Sequence, residues 1–181
     1  AGVLMVAYRE NFQRYYDLTE NVLPSNVDVS EPTAEERRRF FMEKAIDAAG
    51  IAGPNDISNY YYDWCTHIPL RGQGAVETIG QLIEGGILEE ATVRGLREPC
   101  YILSEDRGVV EKIARGGFDC FDGVALLSPF DNLTWFKERT RTLFRFSPRL
   151  EAYSPGRNRE FGYYNMNILY GDRFVGRLDP K

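Results

Sequence analysis

Three helical patterns, followed by two extended runs, lie between residues 30 and 104, and this order constrains the fold more than any other feature of the sequence. In the first pattern Thr33 and Glu36 stand three residues apart, which is the spacing of a capping box at a helix start. Gly50 provides the residue at which that helix is expected to end. The sequence therefore predicts one well-delimited helix at the start of this region.

The next two helices and the hairpin follow without long interruptions. Pro54 opens a short second helix that carries residues 60–64, and a third helix is expected over residues 74–84. The extended runs 87–93 and 99–103 then predict a β-hairpin. Three helices followed by a hairpin are typical of a winged helix-turn-helix unit, in which the third helix reads DNA and the hairpin forms the wing.

The wing is a candidate DNA contact. Arg94 and Arg97 would lie at its tip, where a hairpin commonly touches phosphate. Four glutamates make its surroundings acidic: Glu77, Glu84, Glu89 and Glu90. A module that contacts protein instead of DNA is therefore an alternative for this unit.

The flanking regions suggest a division into three parts. Residues 1–29 are expected to be a connecting segment, in which the apolar run 2–7 has no earlier strand to pair with and residues 8–24 are irregular. Residues 30–104 form the winged-helix unit, and residues 105–181 form a helix followed by a β-rich part. The fold class is therefore predicted to be α+β, and the chain is expected to be a piece of a longer protein, cut at both ends.

The C-terminal part is expected to begin with a helix over residues 104–117 and an extended run over residues 118–127. An amphipathic helix is then predicted to run to Phe146, with Asp131 and Asn132 as candidate N-caps. Strands are expected over three later segments: 149–154, 160–169 and 173–178.

The helix predicted up to Phe146 carries a row of cations. Three of them fall four residues apart and would share one arc of the helix: Lys137, Arg141 and Arg145. A helix that docks on an apolar core and displays such a row is suited to a polyanion, although a solvated charged face has the same pattern. The sequence thus leaves both readings of this helix open.

The distribution of charge favours the polyanion. The net charge is −5, but residues 1–130 hold 12 Lys and Arg against 21 Asp and Glu, whereas residues 131–181 hold 10 against 6. Arg139, Arg157 and Arg159 belong to this basic part. One surface that faces a polyanion would produce this asymmetry, as would chance variation of surface charge.

Other chemistry has little support in the sequence. The three cysteines (Cys65, Cys100 and Cys120) do not form a zinc-ligand pattern with the single histidine, His67, so we expect no metal, no cofactor and a reduced, cytoplasmic protein. No apolar run is long enough to span a membrane. His67 and Asp131 are candidate catalytic groups, but loop packing and helix capping account for them as well.

Several motifs resemble one known family. They are Ser-Pro-Phe-Asp-Asn-Leu-Thr-Trp (128–135), Arg-Thr-Arg-Thr-Leu-Phe (139–144), Leu-Glu-Ala-Tyr (150–153), Phe-Gly-Tyr-Tyr (161–164) and Ile-Leu-Tyr-Gly-Asp-Arg (168–173), with Phe-Gln-Arg-Tyr-Tyr-Asp-Leu-Thr-Glu-Asn-Val-Leu-Pro (12–24) upstream. Together they are similar to the later part of the winged-helix DNA glycosylases of the YcaQ/AlkZ type, bacterial enzymes that unhook DNA interstrand crosslinks.

The resemblance implies a monofunctional glycosylase that hydrolyses the N-glycosidic bond of an alkylated or crosslinked purine in double-stranded DNA, acting as a monomer without a metal. The family's catalytic Gln-x-Gln or Gln-x-Asp motif would lie ahead of Ala1, and neither Gln73 nor Gln81 restores it. No catalytic residue is therefore assigned. The sequence also departs from the family near Asn167, where a proline is usual, and in the longer loop 63–74.

Two hypotheses follow. In the first, the chain is the DNA-binding portion of such a glycosylase and contacts the backbone through its C-terminal cations and the wing. In the second, it is a non-enzymatic winged-helix module or transcriptional regulator that reads sequence through the 74–84 helix, as a dimer on two half-sites.

Overall fold

The computed structural model describes residues 2–61, 67–117 and 122–180. The chain forms two compact units, Ala1–Pro32 and Thr33–Lys181. Helices and small antiparallel sheets occur together, so the predicted α+β class is confirmed. The proposed division between residues 104 and 105 stays a prediction.

The first unit is a β-hairpin with a short helix. Strands β1 (Leu4–Glu10) and β2 (Gln13–Leu18) pair antiparallel, and helix α1 (Thr19–Val22) follows. Asn11 and Phe12 connect the strands with φ angles of 48° and 65°. Two successive left-handed residues form a turn whose twist matches that of paired strands. The expectation that residues 8–24 are irregular was therefore wrong, and the run 2–7 pairs with the residues that follow it.

The second unit begins with three helices: α2 (Ala34–Ala49), α3 (Pro54–Tyr60) and α4 (Gln73–Glu84). The predicted capping box is present, because the Thr33 hydroxyl accepts from the Glu36 amide and the Glu36 carboxylate accepts from the Thr33 amide at 2.8 Å. The predicted extension of the second helix over residues 62–64 lies outside the described residues.

These helices and the hairpin after them share one apolar core. Strands β3 (Leu88–Ala91) and β4 (Cys100–Leu103) pair antiparallel, which confirms the predicted hairpin with shorter strands, and Ala52 bridges to Tyr101. The fully buried side chains of the core come from all of these elements and include Met42, Ile46, Ile57, Leu82 and Leu88. Burial of large apolar side chains at about 1.5–3 kcal/mol each is the main stabilising contribution here.

The remaining part of the second unit is less regular than the sequence suggested. A 3-10 turn (Ser104–Asp106) leads into helix α5 (Arg107–Ala114), as predicted. Strands β5 (Val124–Leu127), β6 (Met166–Tyr170) and β7 (Arg173–Leu178) form one antiparallel sheet in that order. The first four residues of the extended run predicted over 118–127 lie outside the described residues.

The strand predicted over residues 149–154 and the first half of the one over 160–169 do not form. Side chains hold this segment instead, because the buried Glu151 carboxylate accepts from the backbone amides of Glu160 and Phe161 at 2.9 and 2.8 Å. The Arg159 Nε donates to the Glu151 and Ser154 carbonyls. Backbone groups satisfied by side chains need no neighbouring strand.

Candidate nucleic-acid interface

The segment from Ser128 to Arg145 forms two helices and not the single one predicted. They are α6 (Asn132–Trp135) and α7 (Lys137–Phe144), and the backbone breaks at Phe136, with φ −85° and ψ 86°. Asp131 is the N-cap of α6, since its carboxylate accepts from the Leu133 amide at 2.9 Å. The buried Thr140 hydroxyl, on α7, donates to the carbonyl of Leu133 in α6 (2.9 Å) and to that of Phe136 at the break (3.0 Å). These hydrogen bonds stabilise the break at Phe136.

Arg139 lies inside the protein, which changes its expected role as a surface DNA contact. The residue is 8% exposed, and its guanidinium donates to the Ile51 carbonyl at 2.8 Å and to the Asn132 carbonyl at 3.2 Å. It lies 3.9 Å from the Asp56 carboxylate and 5.2 Å from the Phe136 ring centre. Burial lowers the pKa of Arg139, and Asp56 offsets this in part. Arg139 therefore joins α7 to the start of α3.

The other three cations of this segment are exposed but do not form one straight row. Lys137 and Arg141 lie on α7, and Arg145 follows the helix as its C-cap in the left-handed conformation, with φ 53°. The Arg141 Nε donates to the Ser147 hydroxyl at 3.3 Å. The left-handed residue turns the chain, so the regular spacing in sequence does not continue as a regular spacing on one helix face.

A groove of about 820 Å³ lies between α3, the loop that joins β3 to β4, and the α6–α7 segment. It brings together three predicted site residues: Arg97 from the hairpin loop, and Lys137 and the largely buried Arg139 from α7. Aromatic side chains cover part of it, including Phe130, Trp135 and Phe136. We call this the α3–α7 groove.

The α3–α7 groove also contains three carboxylates: Asp56, Glu98 and Glu138. Asp56 is engaged by Arg139 and by the Gly53 amide at 2.9 Å. Cys100 lines the groove as well, and burial raises the pKa of its thiol, with Asp56 adding to the effect. The thiol is therefore protonated at neutral pH and is not an activated nucleophile.

Arg94, Arg157 and Arg159 lie outside the lining of the groove. Arg94 and Arg157 are exposed, in the hairpin loop and in the 3-10 turn Gly156–Asn158. Arg159 is half-buried, and besides its bonds to the Glu151 and Ser154 carbonyls it stacks over the Tyr163 ring at 4.9 Å. Because its guanidinium is already engaged within the loop, Arg159 is a weaker candidate for a DNA contact than Arg157.

Helix α4, which would be the recognition helix of a winged-helix unit, has no Lys or Arg in its twelve residues. It exposes Val76 (65%) and Ile83 (37%), and the Gln73 amide donates to the Glu77 carboxylate. A helix without cations is poorly suited to DNA phosphates. This composition counts against sequence reading through the 74–84 helix.

The β1–β2 hairpin is a second candidate surface, which the sequence analysis missed. Phe12 at its tip is 98% exposed, Arg9 faces Arg14 across the strands, and the Tyr8 and Tyr15 rings stack at 4.6 Å. The mirrored order of tyrosine and arginine on both sides of Asn11-Phe12 is a signal that could have revealed it.

The candidate catalytic and metal residues gain no support from geometry. His67 is exposed, with φ 55°, and Asp131 acts as a helix cap. Cys65 and Cys120 lie outside the described residues. Among the residues that the structure describes, no group of three His, Cys, Asp or Glu side chains is placed to hold a metal ion.

Comparison with known proteins gives the class of protein. The whole chain, residues 1–181, matches the model of the family described as DNA glycosylase AlkZ-like. The chain therefore belongs to the AlkZ-like DNA glycosylase family, a family of DNA repair enzymes. No solved structure matches it. Over the described part of the chain, no helix is both long and apolar enough to cross a membrane.

Proposed function

We propose that this chain is the DNA-binding portion of a bacterial glycosylase that hydrolyses the N-glycosidic bond of alkylated or crosslinked purines in double-stranded DNA. The match to the AlkZ-like family along the entire chain is the observation that carries the proposal. In this proposal the protein is a cytoplasmic monomer that needs no cofactor. The bond-breaking residues are not assigned, because the sequence holds no Gln-x-Gln or Gln-x-Asp motif.

We further propose that residues 30–104 are a winged-helix unit whose main DNA contact is not its third helix. The order α2, α3, α4 and the β3–β4 hairpin supports the unit. The exposed cations suggest that the hairpin loop and the segment after Phe136 meet the phosphates. The proposed contacts are Arg94, Arg97, Lys137, Arg141, Arg145 and Arg157.

The β1–β2 hairpin is proposed as a separate contact. Arg9 and Arg14 are suited to the two sides of a DNA groove, and the exposed Phe12 ring is suited to insertion at a base step. This contact does not depend on the position of the hairpin relative to the second unit.

Salt dependence of duplex binding tests the proposal. For each phosphate contact that is lost, the slope of log K against log salt is expected to fall by about 0.9. The double variant Arg141→Ala/Arg145→Ala should therefore weaken duplex binding and reduce this slope by nearly 2. Fluorescence anisotropy with a labelled duplex at several salt concentrations measures both quantities.

The matched control is Arg107→Ala/Arg115→Ala. These two exposed arginines form ion pairs with Glu111, and Arg107 also pairs with Glu89, so their charge is already balanced. The control should bind with the wild-type slope. Equal slopes for the wild type and both double variants would contradict the proposed contact.

A further inference from the structure

The α3–α7 groove has the size of a ligand site. Its volume of about 820 Å³ falls within the range of roughly 300–1,000 Å³ found for small-molecule and cofactor pockets. It is open on one side, so a part of a larger molecule could enter it. Its walls come from three separate elements. Arg139 also lines the groove, and it donates to the carbonyls of Ile51, which precedes α3, and of Asn132 in α6.

Two aromatic side chains of the groove, Phe130 and Trp135, are available for stacking, whereas Phe136 is buried. Phe130 is 48% exposed, and its ring lies 6.3 Å from that of Trp135 at an interplanar angle of 40°. The Ser128 hydroxyl accepts from the Phe130 amide at 3.1 Å and also bonds to the Tyr164 hydroxyl, so the backbone under Phe130 is fixed. A half-exposed ring on a fixed backbone is a platform for a flat partner such as a nucleobase.

The charges of the groove select a ligand with one anionic group. Arg97 and Lys137 stand on different walls, and within the described residues neither forms an ion pair. A phosphate that enters the groove would be attracted to both cations. The carboxylates of Glu98 and Glu138 would repel a continuous phosphate backbone, whereas Asp56 is already engaged by Arg139, so the groove is unsuited to a track of several phosphates.

The polar groups suit the edge of a base. Glu98 accepts from the Asn55 side-chain amide at 3.4 Å, and Glu138 is exposed at the start of α7. Carboxylates accept hydrogen bonds from the exocyclic amino groups of bases. An ionised phosphate has no donor to offer them. One base, with its amino group, and one phosphate therefore match the aromatic, acidic and basic parts of the groove together.

We propose that the α3–α7 groove binds one unstacked nucleotide of DNA, with its base against Phe130 and Trp135, its phosphate at Arg97 and Lys137, and its base edge at Glu138. This inference rests on the proposed function, because it takes DNA as the ligand. The groove is proposed to position the nucleotide, and no bond-breaking role is assigned to it.

Binding to two duplexes tests the inference, one fully paired and one with a single unpaired adenine. The wild type should bind the bulged duplex more tightly. Phe130→Ala should lower affinity for the bulged duplex roughly 5- to 150-fold, the loss expected when one base–aromatic stack is removed. Affinity for the paired duplex should stay unchanged. If the alanine variant fails to fold, Phe130→Leu removes the aromatic ring but keeps an apolar side chain, and it tests the same stacking contact.

The control is Phe40→Ala, which removes a phenylalanine of similar exposure (56%) outside the groove and should leave both affinities unchanged. Two further ligands distinguish the source of the nucleotide, a single strand and free dAMP. Tight binding of the single strand with the same Phe130 dependence supports the site and shows that an unstacked base suffices. Binding of dAMP alone, without Phe130 dependence, would contradict the site.

Failure of the two proposals gives different results. Without salt-dependent binding to the paired duplex, the proposed function fails and takes the inference with it. Normal binding to the paired duplex, with no preference for the bulge or with equal losses on both duplexes in Phe130→Ala, overturns only the inference.

Discussion

Replacing Arg139 with alanine is expected to lower the free energy of unfolding by about 3–5 kcal/mol, the cost of breaking a buried charged interaction. The guanidinium makes two hydrogen bonds to carbonyls, at 2.8 Å to Ile51 and 3.2 Å to Asn132. Bonds that involve a charged group contribute about 1.5–3 kcal/mol each. The two bonds alone therefore account for at least about 3 kcal/mol, and the Asp56 carboxylate loses its partner as well.

Urea denaturation of the protein measures this change. Tryptophan fluorescence and circular dichroism should be followed together, because coincident transitions justify a two-state free energy. Arg139→Lys keeps the charge but not the planar fork, so it should recover about half of the loss. Arg141→Ala is the matched control on the same helix, and as a surface substitution it should stay within about 0.5 kcal/mol of the wild type.

A stability of Arg139→Ala within about 0.5 kcal/mol of the wild type would refute this reasoning, by the same surface-substitution criterion. It would mean that the guanidinium is solvated and that the carbonyls of Ile51 and Asn132 have other partners. Loss of DNA affinity without loss of stability would return Arg139 to the set of direct DNA contacts. Similar losses in the free energy of unfolding for Arg139→Ala and Arg141→Ala would contradict the contrast between a buried and an exposed arginine.

Two further predictions concern helix starts. The Thr33 backbone and hydroxyl groups hold the pKa of Glu36 below its unperturbed value of 4.5, so the stability from this bond is present above that pH and is lost as pH falls through the lower, folded pKa. The melting temperature of Glu36→Gln should therefore differ from that of the wild type near neutral pH and approach it in acid. The same difference in melting temperature at every pH would contradict this effect of the Glu36 carboxylate. Asp131→Ala should cost about 0.5–2 kcal/mol and Asp131→Asn much less, since Asn also caps helices. If Asp131→Asn instead abolished activity without a change in stability, Asp131 would act in chemistry and not as a cap.

Local signals allowed much of the fold to be predicted. Thr33, Glu36 and Gly50 delimit α2 by hydrogen bonds made within a few residues, and such bonds depend on sequence alone. Asp131 was identified as a cap for the same reason. Residues 160–165 were misassigned to a strand because aromatic residues are common in strands. Instead, the Glu151 carboxylate, nine and ten residues away, accepts from the amides of Glu160 and Phe161.

The candidate site could be predicted only in part. Lys137 and Arg97 were both singled out, but forty residues separate them in the sequence, and only packing places them around one groove. Phe130 appeared in the sequence only as part of the 128–135 motif, since the exposure of a side chain cannot be read from its residue type. Arg9, Phe12 and Arg14 were missed because their segment was not expected to pair.

The sequence by itself determined the α+β class, the start of the main helices and the AlkZ-like family, because capping, periodicity and family motifs are local or written directly in the chain. Only the tertiary structure decided which of the cations around α7 are exposed and which are buried. The chain breaks at Phe136, ahead of Lys137; Arg139 lies buried and donates to the Ile51 carbonyl, and Lys137 lines the same groove as Arg97. Regular spacing in sequence places side chains on one face only along a single unbroken helix, and where a helix breaks depends on the groups that pack against it.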